Sequence, residues 1–65
     1  MNTINAIQKR LDRGEIQFFV GQYYYEARMN GIILRREQRA GRTPTSEFER
    51  VGNWNPRTRK ITEII

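Results

Sequence analysis

The sequence predicts a single α+β domain in which one or two amino-terminal helices precede a small antiparallel three-stranded sheet. Two patterns support this. Across residues 16–29 the large apolar side chains recur at helical spacing, whereas from residue 32 the apolar runs shorten to strand length between segments rich in Gly, Asn, Thr and Pro. A chain of 65 residues makes one domain over 1–65, with a helical half over 1–31 and a basic β half over 32–65.

Thr3 is placed to cap a first helix over about 4–13, with Ile4, Ile7 and Leu11 on one face at i, i+3 and i+7, and Gly14 stops it. Lys9, Arg10 and Arg13 fall in the last turn. There they complement the negative end of the helix dipole, which accounts for them without a ligand.

The segment 16–34 holds most of the large apolar side chains, so the core must form around it. Ile16, Phe19, Val20, Tyr23, Tyr24 and Ala27 fall at i, i+3, i+4, i+7, i+8 and i+11, one stripe of a second helix, with Glu15 at its positive end. Phe18, Tyr25 and Met29 lie off that stripe and would form a second apolar side, a candidate protein interface. A hairpin competes with this reading, because Phe, Val and Tyr prefer strands and Asn30-Gly31 is a two-residue turn signal. Tyr23 to Met29 would then pair with Ile32 to Gln38, with Met29 opposite Ile32, Ala27 facing Leu34 and Glu26 facing Arg35. Length favours the helix: the fourteen residues of 16–29 contain no turn signal other than Gly21, and Asn30-Gly31 then serves as its C-terminal cap. The outer positions of such a helix carry Phe18, Gln22, Tyr25 and Glu26, which are unsuited to reading a major groove, so a DNA-binding helix-turn-helix is disfavoured.

Ile32, Ile33 and Leu34 read as a short buried strand extended by the basic run 35–39. Residues 40–46 are a loop by composition. A second strand follows over 47–51, the segment 52–56 turns the chain, and 57–65 forms the third strand.

Twelve basic residues against seven acidic ones give a net charge of +5, and ten of the twelve are arginine. The guanidinium fork suits bidentate contact with phosphate better than an ammonium does, which points to a polyanionic partner, above all RNA. Residues 35–60 carry eight of the basic residues against three acids, together with the single tryptophan. Arg35, Arg36, Arg39 and Arg42 around one loop, and Arg57, Arg59 and Lys60 around the next, would line one sheet edge. Trp54 is either a stacking platform for an unpaired base or a core residue.

The absence of cysteine and histidine removes disulfides, thiolate chemistry, zinc sites and the usual general base. Glu47 and Glu49 share a strand face but sit among arginines, and nothing supplies a nucleophile or a third metal ligand. The expectation is therefore a non-enzyme with no cofactor and no metal. The amino terminus lacks a signal-peptide pattern and no apolar run approaches the ~20 residues of a membrane span, so no membrane role and a cytoplasmic location are expected.

The run Phe48-Glu49-Arg50-Val51-Gly52-Asn53-Trp54-Asn55-Pro56 resembles the signature of the bacterial ribosomal protein S-sixteen family, with one residue fewer between Phe and Glu. The likeness extends across about 32–65. The family opens on a basic strand and ends in helices, whereas this chain opens on a helical pattern. The resemblance implies an α+β fold, a place in the ribosomal small subunit, RNA contacts at Arg42, Arg50, Arg57 and Lys60, and a turn shaped by Gly52 and Pro56. The alternative is a protein-docking module, an accessory subunit or phage-type inhibitor, that binds a larger assembly or a second copy of itself through Phe18, Tyr25 and Met29.

Overall fold

The computed structural model describes residues 3–65. It contains one helix, α1 (Thr3–Asp12), and five strands, β1 (Gln17–Val20), β2 (Tyr23–Ala27), β3 (Ile32–Glu37), β4 (Glu49–Asn55) and β5 (Lys60–Ile64). The strands form one antiparallel sheet in the order β1-β2-β3-β4-β5, each pairing with its neighbour in sequence. This corrects the expected fold class: the sheet has five strands rather than three, there is no second helix among the described residues, and the chain is mostly β.

The central segment is a hairpin because its residues alternate. Phe18, Val20, Tyr23, Tyr25 and Ala27 point to the core while Phe19, Tyr24 and Glu26 point away, in the register Phe18↔Tyr25 and Phe19↔Tyr24. Gly21, at φ 61°, occupies the first central position of the two-residue connection, where only glycine takes a positive φ at no steric cost. Asn30-Gly31 then turns β2 into β3, with Gly31 N–H donating to the Arg28 carbonyl at 3.0 Å and Ile32 N–H to Asn30 Oδ1 at 3.1 Å. The competing hairpin reading was right in kind and one residue off in register: Ala27 faces Ile33 and Glu26 faces Leu34.

Helix α1 ends as the glycine demands. Gly14, at φ 90°, closes a turn in which Glu15 N–H donates to the Arg10 carbonyl and Gly14 N–H to the Leu11 carbonyl, while the Arg10 and Glu15 side chains form an ion pair. Thr3 is the first residue of the helix rather than its preceding cap. Ile7 and Leu11 are buried against Phe18, Tyr25, Ala27, Ile33 and Trp54, and these seven side chains make the core.

The helix reaches both edge strands, β1 and β5, so the sheet curls around it. Two register shifts sharpen the curl: Ile33 pairs with Gly52 and Leu34 with Arg50, leaving Val51 as an extra residue on β4, and Thr62 is likewise extra on β5. The side chain of Gln8 completes the closure, accepting the Ile61 N–H at 3.0 Å and donating to the Arg59 carbonyl at 2.8 Å. No helix among the described residues is long and apolar enough to cross a membrane.

Candidate nucleic-acid interface

Because α1 occupies the concave side, the convex side of the sheet carries a second set of side chains that no other element of the described residues covers. Near one end of the sheet the pairing Phe19↔Tyr24↔Arg36 continues to Phe48, just before β4, and puts four planar groups in one row across the strands. Phe19 and Tyr24 rings are 5.1 Å apart and Tyr24 and Phe48 rings 6.1 Å apart. The Arg36 guanidinium lies over both neighbours, 5.3 Å from the Tyr24 centroid and 4.5 Å from that of Phe48. All four side chains are half-buried.

Arg36 is held in place from the loop side. Its Nε donates to Gln38 Oε1 at 2.9 Å, and Gln38 Nε2 donates in turn to the Arg42 carbonyl at 2.9 Å. The loop between β3 and β4 folds back on the strand: Thr45 N–H donates to the Glu37 carbonyl at 2.9 Å, Thr45 Oγ1 donates to the Glu37 carboxylate at 3.0 Å, and Glu37 N–H donates to Ser46 Oγ at 2.7 Å. Gly41, at φ 78°, lets it reverse. Arg39 and Arg42 thereby line a concavity of about 460 Å³ with Gln22, Glu37, Gln38, Thr43 and Thr45, the Glu37 carboxylate being bonded to Thr45 Oγ1. Neither arginine has a carboxylate within ion-pair distance among the described residues.

The other basic residues from Arg28 onward are spent or placed elsewhere. Arg28 pairs with Glu26 at 2.8 Å, Arg50 with Glu63 at 2.9 Å, and Lys60 with Asp12 at 3.1 Å. Arg35 points to the concave side, where it lies 4.3 Å over the Tyr23 ring, and the Glu49 carboxylate bonded to it at 2.8 Å raises its pKa above the ordinary arginine value. Arg59 is structural: Nε donates to the Leu11 carbonyl and Nη2 to the Glu15 carbonyl, and the guanidinium lies 5.2 Å over Trp54. Arg57 is exposed on the turn between β4 and β5, at the opposite end of the sheet from Arg39 and Arg42. The expected single edge joining 35–42 to 57–60 is corrected by the up-and-down topology, which sends successive connections to opposite ends.

Three further site expectations change for reasons of burial. Trp54 is 2 % exposed, its Nε1 donating to the Arg28 carbonyl at 2.7 Å, so it is a core residue and not a platform. Phe18 and Tyr25 stack on each other inside the core, 4 % and 1 % exposed, and offer nothing to a partner; of the proposed interface only Met29 is exposed. The aromatic surface lies instead at Phe19, Tyr24 and Phe48. Reading Gly21-Gln22 as a turn was the available signal: it makes strands of 18–20 and 23–27, and strand geometry then sets Phe19 and Tyr24 on the face opposite Phe18 and Tyr25.

The Tyr24 hydroxyl donates to Glu26 Oε2 at 3.1 Å. Burial, reinforced by the neighbouring Glu26 charge, pushes its pKa up. Within the 48–56 run, Gly52 sits inside β4 rather than in the turn, and glycine is needed there because a Cβ would overlap the Glu63 carbonyl of β5. Asn55 Oδ1 accepts the Arg57 N–H at 2.9 Å and so shapes the turn with Pro56. Comparison with protein-family models, curated proteins and solved structures returned no match.

Proposed function

We propose that this is a non-catalytic RNA-binding protein whose contact surface is the convex sheet face together with the loop between β3 and β4. The observation that carries the reading is the gathering of Arg36, Arg39 and Arg42, three guanidinium groups without a carboxylate partner among the described residues, beside the uncovered row of Phe19, Tyr24 and Phe48. Cations left without internal partners attract phosphate, and a net charge of +5 steers a polyanion toward them. Aromatic rings beside such cations are the usual composition of an RNA surface. The resemblance of 48–56 to the S-sixteen ribosomal family supports the same reading, with a structural place in a ribonucleoprotein.

The test is binding of the purified protein to a structured RNA over a salt series, beside the Arg39→Glu, Arg42→Glu double variant. The expected result is an affinity that falls with salt and is lost in the variant while its circular dichroism is unchanged. Equal binding by parent and variant would overturn it.

A further inference from the structure

Resting on that reading, we infer that the convex face is a stacking site for unpaired bases, so that the RNA it takes is single-stranded. The row of Phe19, Tyr24, Arg36 and Phe48 receives the bases. Arg39 and Arg42 receive the phosphates.

Phe19, Tyr24 and Arg36 are direct cross-strand partners, and Phe48 continues the row, so four planar groups stand on four adjacent strand positions. Their side chains lean together: Phe19 lies 5.1 Å from Tyr24, Tyr24 lies 6.1 Å from Phe48, and the Arg36 guanidinium caps both of the latter rings. Arg36 is further pinned by Gln38. A guanidinium held on rings in this way offers a base a planar surface as a ring does. A platform already ordered in the free protein loses little side-chain entropy when a base stacks on it.

A duplex presents phosphates and hides the faces of its bases, so a duplex-binding surface is a field of cations. This face is the reverse. Arg28 and Arg50 on it are neutralised by Glu26 and Glu63, and the cations left without carboxylates are Arg36 in the row and Arg39 and Arg42 one step beyond it. The two guanidinium groups of Arg39 and Arg42 meet about two phosphates, while the rings demand exposed base faces. That count sets a modest salt slope, about −1.4 in log affinity against log salt for a single strand.

The Tyr24 hydroxyl is tied to Glu26 while its ring remains between Phe19 and Phe48, so the tyrosine contributes a fixed ring rather than a mobile hydroxyl.

The experiment measures binding of an oligouridylate and of a blunt RNA duplex of equal strand length by the parent, by Phe19→Leu, by Phe48→Leu, by Arg36→Lys and by the Arg39→Glu, Arg42→Glu double variant. Leucine keeps apolar volume and lysine keeps charge, while each removes a planar surface. Emission from Trp54, which lies on the other side of the sheet, reports that every variant is folded.

The expected result is preference for the single strand, with about ten-fold loss or more of oligouridylate affinity in each planar-group variant. Equal binding of duplex and single strand, unaffected by Phe19→Leu and Phe48→Leu but abolished by the arginine double variant, would overturn base stacking and leave the RNA-binding reading standing. Failure of the parent to bind either RNA would overturn both and reassign the aromatic row to a protein partner.

Discussion

Gln8 on the helix stands in for a sixth strand against Ile61. Its Oε1 accepts the Ile61 N–H at 3.0 Å and its Nε2 donates to the Arg59 carbonyl at 2.8 Å, so one carboxamide satisfies the donor and acceptor that a paired strand would have taken. Gln8→Leu leaves both without a partner on a half-buried edge. It is expected to cost about 1–2 kcal/mol, read as a lower denaturation midpoint with unchanged slope in urea. Gln8→Glu is the sharper comparison, since it keeps the acceptor for Ile61 and loses the donor for Arg59.

Glycine matters for two different reasons in this sheet, and alanine separates them. At Gly52 a Cβ would overlap the Glu63 carbonyl and press on the Ile64 side chain, so Gly52→Ala must push β5 away from β4. The expected loss is about 2–3 kcal/mol, of the order seen for overpacking. At Gly21 there is open space and the cost is the positive φ alone, about 1–2 kcal/mol. Thermal melts of the two variants should rank in that order.

Trp54 holds the β2–β3 turn from beneath, through Nε1 to the Arg28 carbonyl at 2.7 Å and through its own N–H to the Gly31 carbonyl at 2.9 Å. Trp54→Phe keeps a ring in the core and removes the first of these. The variant should lose about 1–3 kcal/mol. Amide exchange at Gly31 and Ile32, which report this turn, should accelerate more than exchange in β1.

Tyr24 predicts an alkaline limit. Its pKa is raised above the ordinary 10.0, first by burial and then by Glu26, so the folded state favours the neutral phenol more than the unfolded state does. That contribution is complete below pH 10 and is lost as pH rises through the higher folded-state value. Stability measured against pH should therefore decline in the alkaline range in the parent. Tyr24→Phe should flatten that part of the decline and remove a late-ionising phenol from the ultraviolet titration.

Much of the chain could be read directly. The stop at Gly14, the buried Ile7 and Leu11, and the strand opening on 32–34 all follow from local rules that the tertiary structure leaves intact. The central segment could not, because both faces of the β1–β2 hairpin carry aromatics. Phe18 and Tyr25 face inward and Phe19 and Tyr24 outward, and this double occupancy erased the polar alternation that marks a half-buried strand. Trp54 misled for a related reason. Its neighbours Asn53, Asn55 and Pro56 compose a turn, yet the turn begins only after Asn55, and the indole belongs to the last rungs of β4. The pairing of Arg50 and Lys60 with acids on other elements was invisible in principle, since it depends on which elements become neighbours.

The Gln8 bridge also sets a clock. Each strand pairs with its neighbour in sequence, so the hairpins can zip as soon as they are made, but the atoms that seat the helix lie 53 and 51 residues downstream of Gln8. At ~5–20 residues per second a ribosome needs about 3–10 s to travel that distance. Through that interval Ile7 and Leu11 can settle on Phe18, Tyr25 and Ile33, but the polar bridge from Gln8 to the last edge has nothing to close on. The helix is therefore placed early and fastened last.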